Sequence, residues 1–566
     1  MTRADDRTED PWAAVETDGE EPAWRARTPS AGDSGPSRRR RGAVALPAVA
    51  AGVGLALSLP PWGLWVLAFP SAGLLWWRLG GLGPRTRLWA GWLAGLGCYV
   101  PGLMWARSFT LAGAAVLIAL EALFPAVACL VVPARPVVAR ALAFPAAMTL
   151  AEAGRMTWPF GGLPIGGVFL GQAGGPVLGV ARLGGPLGLT LMVYTGGVAV
   201  AALAEAALAL ATGRSPRSRT APPGPAGPCG RVGWWTLPVT GAVALAVLVV
   251  CVVAGAHAPD GGPSRGAISV AAVQGGGKRG FRKSQVNPAT VLAAQVTATD
   301  HLLAETAGHP PRLVLWPEDV VSLPEPLADS PEQAALSALA RRLDATLVVG
   351  VTETVSSTAF RNEAVAFAPD GTIVSHYEKV HRVPFGEYVP YRGFFKHLAN
   401  LSAVPLDAIP GTGTGLLPTP AAPLGAMISY EVFYADRGRS AVRAGARLLI
   451  VPTNTSSYAT SQVPTQEIAA SEVQAVQQGR DLLQAAPTGY SAAITNRGRL
   501  LQRSVLGRQQ VILATLDERS GWTVYVRFGE APVLALCGAA LAAGWWEARR
   551  RRPERAKRPA ASASTA

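Results

Sequence analysis

Three short stretches of this chain place ionisable or hydroxyl side chains at the ends of apolar runs. Trp316-Pro317-Glu318 follows Leu313-Val314-Leu315. His376-Tyr377-Glu378-Lys379 leads into Val383-Pro384-Phe385-Gly386-Glu387-Tyr388-Val389-Pro390, and Met427-Ile428-Ser429-Tyr430-Glu431 closes another apolar run. Ligands of open α/β sheets bind at the carboxyl ends of strands. A carboxylate, an amine and a hydroxyl delivered there are the parts of an acyl-transfer site: base, oxyanion partner and nucleophile. Singly, each has a plainer use. Glu318 suits a surface turn, Lys379 a solvated charge, and Ser429 a packed strand end or a helix N-cap.

Other chemistries find less support. The six histidines (His257, His301, His309, His376, His381, His397) show no metal-ligand spacing, and His376 and His381 read as structural hydrogen-bonders around Lys379. Five cysteines in 566 residues are too few for a disulfide framework, and their spacings fit no zinc site. Gly275-Gly276-Gly277-Lys278 lacks the spacing of a phosphate-binding P-loop. No metal and no cofactor is expected.

The elements that must position these residues lie between 258 and 529. Ala267 to Val273 reads as a buried strand, 287–307 as an amphipathic helix, and Leu313 to Trp316 as a second strand. A helix near 331–343 and a strand from Thr346 to Gly350 follow. Asn362 to Phe367 and Thr372 to Tyr377 flank Asp370-Gly371, a hairpin turn. A strand at 424–429 with a helix after it, a strand from Leu448 to Val451, a helix near 465–485 and a strand from Ser491 to Thr495 complete the pattern. Asn454-Thr455-Ser456 reads as a loop lining the site. Strands alternating with helices predict an α/β layered domain.

The rest of the chain is of another kind. Hydrophobic residues make up 49% of the whole and charged residues only 16%, which excludes a single soluble domain and a disordered chain. Apolar runs near 42–59, 62–78, 87–106, 110–133, 137–153, 185–212, 236–256 and 530–547 approach the roughly 20 residues of a membrane helix. Twelve of the 16 tryptophans fall in this half or at its edges, as interfacial belts do. The expected organisation is a disordered cytoplasmic tail over 1–41, membrane helices one to seven over 42–257, a soluble domain over 258–529, a last membrane helix over 530–547 and a basic tail over 548–566.

Charge orients that arrangement. Arg38 to Arg41, then Arg78, Arg85 and Arg87, then Arg135 and Arg140, then Arg214, Arg217 and Arg219, and finally Arg549 to Arg552, Arg555, Lys557 and Arg558 all fall on one side of an eight-span count. Positive loops stay cytoplasmic. Both termini are therefore expected inside, and 258–529 outside, a cell membrane crossed several times. The net charge of +14 is then a topology signal, and no nucleic-acid partner is expected.

In order, Glu318, Lys379 and position 429 match the Glu-Lys-Cys triad of the nitrilase (carbon-nitrogen hydrolase) superfamily. The run from Lys379 through Val383 to Pro390 is narrower, and with the spans it resembles the apolipoprotein N-acyltransferase family over about residues 42–547. Glu152, Arg155, Gly162 and Pro164 resemble that family's exposed loop between spans five and six. The resemblance implies a polytopic α-helical membrane domain of about eight spans with an extracytoplasmic nitrilase-like α-β-β-α sandwich. It implies an enzyme that moves an acyl chain from a membrane phospholipid, through an acyl-enzyme, to the N-terminal amine of a diacylglyceryl-modified lipoprotein. Glu318 would be the general base. Lys379 would hold the oxyanion together with the backbone N–H after the nucleophile. Glu387, Tyr430 and Glu431 match positions that support the site and bind substrate.

Two departures stand out. Ser429 occupies the place of the family cysteine, while Cys98, Cys129, Cys229, Cys251 and Cys537 all lie outside 258–529. A hydroxyl is far less acidic than a thiol, so Glu318 alone is a poor base for it; a Lys379 neutralised by burial would be another base. The glycine run after Gln274 stands where the family reads Gly-Asn, with Phe281 in the place of a later aromatic. Two other readings remain open: a catalytically impaired paralogue acting as a binding or accessory protein, and a membrane-tethered amidase or hydrolase of the same superfamily.

Overall fold

The computed structural model describes residues 35–212, 235–277, 286–307, 309–397, 400–402, 404–458 and 461–551, with side chains from Val44 onward. The tails over 1–34 and beyond Arg551, the side chains of Arg38 to Arg41, Arg214, Arg217, Arg219, Cys229, Lys278 and Phe281 lie outside the described residues.

The first half is helical where it is apolar. Its helices are α1 (Gly35–Ser58), α2 (Ala68–Arg78), α3 (Pro84–Gly102), α4 (Leu111–Glu121) continued by α5 (Leu123–Val131), α6 (Val137–Arg155), α7 (Ala181–Ala211) and α8 (Thr236–His257). Leu111–Val131, Val137–Arg155, Leu178–Ala211, Thr236–His257 and Ala531–Arg550 are long and apolar enough to cross a membrane. The run read at 62–78 starts as a loop with one 3-10 turn at Trp65–Leu67, so its helix keeps only 11 residues. Inside α7 the backbone breaks at Gly185 (φ +59), just before Pro186. A Cβ there would come within 2.5 Å of the Tyr525 ring, so only glycine allows this turn and this contact.

The second half folds as strands and helices in alternation. Along the chain come β1 (Gly266–Gln274), α9 (Pro288–Glu305), β2 (Leu313–Leu315), β3 (Val321–Leu323), α10 (Pro331–Leu343), β4 (Thr346–Ser356), β5 (Ala359–Phe367) and β6 (Ile373–Glu378). Then follow α11 (Arg392–Phe395), β7 (Asp407–Ala408), β8 (Leu416–Leu417), β9 (Leu424–Ala426), α12 (Ala435–Arg443), β10 (Leu448–Pro452) and α13 (Val463–Gln478). The last elements are β11 (Leu482–Ala485), β12 (Ala492–Ile494), β13 (Leu500–Arg503), β14 (Gln510–Glu518), α14 (Val524–Phe528) and α15 (Ala531–Arg550).

These strands make two sheets. One runs β14-β1-β2-β4-β5-β6, with β3 beside β4 and β7 beside β5; the other runs β13-β12-β11-β10-β9-β8. Ile268, Val270 and Ala272 of β1 face Leu424, Ala426, Leu448, Ile450 and Leu483 across the space between the sheets. Ala271 and Val273 face the other way, onto Ala298 and Leu302 of α9 and Leu336 and Leu339 of α10. With both faces buried, β1 reads as an unbroken apolar run rather than an alternating one. Helices α12 and α13 accompany the second sheet, giving the α-β-β-α layering that the family resemblance implied.

The strand expected to end at Gly350 runs on to Ser356, and the one expected from Asn362 starts at Ala359. Two further boundaries differ from the sequence reading. The strand expected to reach residue 429 ends at Ala426, because Ser429 sits at φ +51 and opens a 3-10 turn, Ser429–Phe433. The helix expected over 465–485 ends at Gln478; Gly479 (φ +63) caps it, and Leu482–Ala485 pairs in parallel with β10. A left-handed glycine after a helix is its common stop. Nearly every residue of α13 is buried, so no polar face marks its end.

The helical and α/β parts meet at one end of the helices. Gln462 bonds the Pro101 carbonyl, while Gln466 bonds the Gly166 N–H (3.0 Å) and the Gly102 carbonyl (3.2 Å). Elsewhere Arg87 donates to the Leu82 and Leu130 carbonyls, Arg140 to Ala134, and Trp545 of α15 to Val131.

Candidate active site

Each of the three chemical stretches lies just past a strand. Glu318 follows β2, Lys379 follows β6, and Ser429 follows β9. β2 and β9 belong to opposite sheets, so the sandwich brings together residues far apart in sequence. Glu318 rests over β4 at Gly350, where a Cβ would come within 2.3 Å of the Pro317 carbonyl and 2.5 Å of Glu318 Cα. A glycine there lets the Glu318 turn settle onto the sheet.

The centre is a buried cation between carboxylates. Lys379 Nζ donates to Glu318 Oε1 at 2.9 Å and to Glu387 Oε1 at 2.6 Å. Asn362 of β5 adds a bond to Glu318 Oε1 at 2.8 Å, and Glu387 Oε2 accepts from the Val383 N–H at 2.9 Å. Glu318 is 5% exposed and Lys379 1%. A lysine this enclosed survives only with such partners.

Electrostatics decide the protonation states. Burial pushes the Glu318 carboxyl up; Lys379 pulls it back only in part, leaving it above the ordinary carboxylate range. Burial opposes the charge on Lys379, but Glu318 and Glu387 outweigh it and hold the ammonium above its usual range. Lys379 is thus a fixed cation and not a neutral base.

The serine is set on a tight turn. One carboxylate fastens that turn to the lysine loop: Glu431 accepts from the N–H groups of Ile428 (2.8 Å), Val380 (2.8 Å) and His381 (3.1 Å), and from the Tyr377 hydroxyl at 2.9 Å. Glu431, expected against substrate, is completely buried and spends its oxygens on these bonds. On the other side, Gln474 of α13 donates to the Val432 and Tyr434 carbonyls at 2.8 and 2.9 Å. Tyr430, next to the serine, donates its hydroxyl to the Gly162 carbonyl at 3.1 Å, and Tyr434 does the same at 3.0 Å.

That carbonyl belongs to the loop after α6, which the sequence reading placed on the surface. Gly162 and Pro164 of this loop are buried, and so are Glu152 and Arg155 at the end of α6. Tyr388 reaches the same loop at the Phe160 carbonyl, 3.3 Å away, and Phe160 packs edge-on against Phe385 with centroids 5.9 Å apart. On another side, Tyr458 packs edge-on against Trp105 at 5.6 Å. Burial raises the Tyr458 phenol, and the Glu387 carboxylate raises it further.

One buried acid escaped the sequence reading. Glu467 of α13 accepts from the Thr453 hydroxyl at 2.5 Å, beyond the end of β10. Burial pushes it up to about 8, the Thr453 bond opposes this, and the field of Glu318 adds to it. From sequence Asn362 reads only as part of a strand. Its signal was a lone amide opening an apolar run. Glu467 gives no signal, since polar residues are spread along its helix and nearly all of them are buried.

The chain matches the apolipoprotein N-acyltransferase N-terminal domain over residues 51–199 and the carbon-nitrogen hydrolase family over residues 269–523. It is 31% identical over 497 residues to the apolipoprotein N-acyltransferase of Mycolicibacterium smegmatis, covering 81% of this chain and 77% of that one. The chain belongs to the apolipoprotein N-acyltransferase family. The family's enzyme from Azotobacter vinelandii is 29% identical over 544 residues, covering 91% of this chain and 97% of its own. A solved carbon-nitrogen hydrolase from Helicobacter pylori G27 is 17% identical, covers 51% of this chain and 96% of that one, and has a TM-score of 0.34. Family membership bears out the resemblance read from Glu318, the Lys379–Pro390 run and the apolar spans. With the apolar helices, it makes this a membrane acyltransferase carrying a nitrilase-like domain.

Proposed function

We propose that this protein acylates the N-terminal amine of diacylglyceryl-modified lipoproteins with a chain taken from a membrane phospholipid, through an ester on Ser429. The observation that carries this reading is the buried Glu318–Lys379–Glu387 cluster on a chain of this family. Ser429 Oγ attacks the phospholipid ester carbonyl while Glu318 takes its proton. The tetrahedral oxyanion is held by Lys379, whose ammonium has a third N–H beyond the two given to carboxylates, and by the Tyr430 N–H. Collapse breaks the bond between the acyl carbon and the glycerol oxygen, and Glu318 returns the proton to that oxygen as the lysophospholipid departs.

The second half-reaction reverses the roles. The lipoprotein amine attacks the Ser429 ester, Glu318 takes a proton from the nitrogen, and the amide forms as Oγ leaves and is reprotonated. The raised Glu318 carboxyl suits a hydroxyl better than an ordinary carboxylate would. Glu387 fixes Lys379, and Glu431 fixes the serine turn; both act through other groups rather than on substrate.

The proposed membrane arrangement has eight spans, the sandwich outside and both termini inside. It is supported by the contacts at the helix ends. The turns near Arg87 and Arg140 and the Trp545 end of α15 meet, whereas the sandwich rests on Pro101, Gly102 and Gly166. Acyl chains on both substrates favour a site at the bilayer edge, since each buried CH₂ holds about 0.8 kcal/mol of membrane affinity.

The test is product formation. Purified protein is incubated with a phospholipid and a diacylglyceryl-cysteinyl peptide, beside Ser429→Ala and Ser429→Cys. N-acylated peptide from the parent and none from Ser429→Ala supports the reading. No product from the parent, with activity gained by Ser429→Cys, would replace it with a disabled site.

A further inference from the structure

A cluster of buried charge in the helical half plays no direct part in this reaction. Glu121 ends α4 within the apolar stretch Leu111–Val131 and is 2% exposed. A carboxylate at that depth is unfavourable without a partner. Its partner is Arg155, fully buried at the end of α6, 3.4 Å away. Arg155 also holds Glu152 through two bonds, 3.1 and 2.7 Å.

The same guanidinium gathers three successive carbonyls. It donates to Leu163, to Pro164 at 3.2 Å and to Ile165 at 3.0 Å. Only the planar, multidonor head of arginine can hold two carboxylates and a turn of backbone at once. Gly162 precedes these carbonyls at φ +86, where a Cβ would collide with the Met156 backbone at 2.1 Å. The Gly162 carbonyl then receives both Tyr430 and Tyr434. Hydrogen bonds, joined by the Gly162–Leu163 peptide, thus lead from a helix of the membrane half to the residue beside Ser429.

We propose that Glu121 and Arg155 are positioning residues, a strut that sets the 156–167 loop and, through the Gly162 carbonyl, fixes Tyr430 and its oxyanion-holding N–H. The inference rests on the proposed reaction at Ser429. Neither residue touches reacting atoms. Because both half-reactions use the same N–H, loss of the strut lowers both rates and leaves substrate affinity nearly unchanged.

The experiment compares the full-length parent with Glu121→Gln, Arg155→Lys, Tyr430→Phe and the Arg155→Lys/Tyr430→Phe double variant in lipid nanodiscs. Hydrogen–deuterium exchange of peptides covering 156–167 should quicken roughly tenfold in Arg155→Lys and Glu121→Gln. In Arg155→Lys, kcat should fall about tenfold with KM within about twofold, and adding Tyr430→Phe should lower it no further. Unchanged exchange in 156–167, or losses that multiply in the double variant, would overturn the strut. Glu121→Gln, the milder change, decides the exchange outcome if Arg155→Lys fails to fold. A parent that forms no N-acylated product would defeat the proposed reaction, while the exchange measurement would still judge the strut.

Discussion

Lys379 is the residue on which the chemistry turns, and its surroundings fix its charge. Held as an ammonium by Glu318 and Glu387, it holds the oxyanion in the proposed reaction. Lys379→Met should therefore lower kcat by roughly 10²–10³, the loss seen when a preorganised oxyanion donor is removed. The pH–rate profile separates this from a lysine base. Glu318 must be ionised to accept the serine proton, so the rate should fall as pH drops through its carboxyl, at a pH above the ordinary 4.5. No alkaline loss from Lys379 is expected below its usual 10.5; a rate rising through a lysine titration near neutrality would contradict the assignment. Glu467 gives a stability counterpart. Its folded carboxyl keeps its proton to about pH 8, the unfolded one to about 4.5. Its contribution is complete below 4.5, declines by at most about 1.4 kcal/mol per pH unit between those values, and is gone above 8. Denaturant unfolding of Glu467→Gln should show a flatter pH dependence across that window than the parent.

At the scale of elements, the site depends on how closely backbones approach. Gly350→Ala would drive a methyl into the Pro317 carbonyl and Glu318 Cα. We expect a loss of about 1–3 kcal/mol, read as a lower Tm, with a fall in kcat as Glu318 is displaced from Lys379. The strands just before Glu318 and Ser429, the Asp370-Gly371 hairpin and α10 over Pro331–Leu343 are legible in the sequence. Their apolar runs end in residues of opposite character. The close approach at Gly350 was not, because a glycine in an apolar strand looks the same whether or not another backbone crosses it. Nor was the end of α13. Burial on all sides removed the periodicity that would have marked Gly479 as its stop. Glu152 and Arg155 were recognised by type but misplaced on the surface, since a buried arginine is identifiable only from the carbonyls it holds.

For the whole molecule, the sandwich and the helices meet around the proposed site. Gly162, Trp105 and Gly166 come from the helical half, and Tyr430, Tyr458 and Gln466 from the α/β half. The sequence showed these halves as different materials, one apolar and one ordinary. The contacts between them follow from tertiary packing and left no local pattern. The proposed topology has a direct check in intact spheroplasts. A membrane-impermeant maleimide should label Asp370→Cys and leave Arg135→Cys unlabelled; the opposite pattern would invert the orientation.

The central claim is an ester on Ser429, and the acyl-enzyme itself is the most direct evidence for it. Purified protein is incubated with a phospholipid of defined acyl chain and no acceptor, then digested and weighed by mass spectrometry. The account predicts one acyl mass added at Ser429, an equal amount of lysophospholipid released, and loss of the adduct when a diacylglyceryl-cysteinyl peptide is supplied. An unmodified Ser429 with N-acylated peptide still forming, or product formed equally by Ser429→Ala, would contradict it.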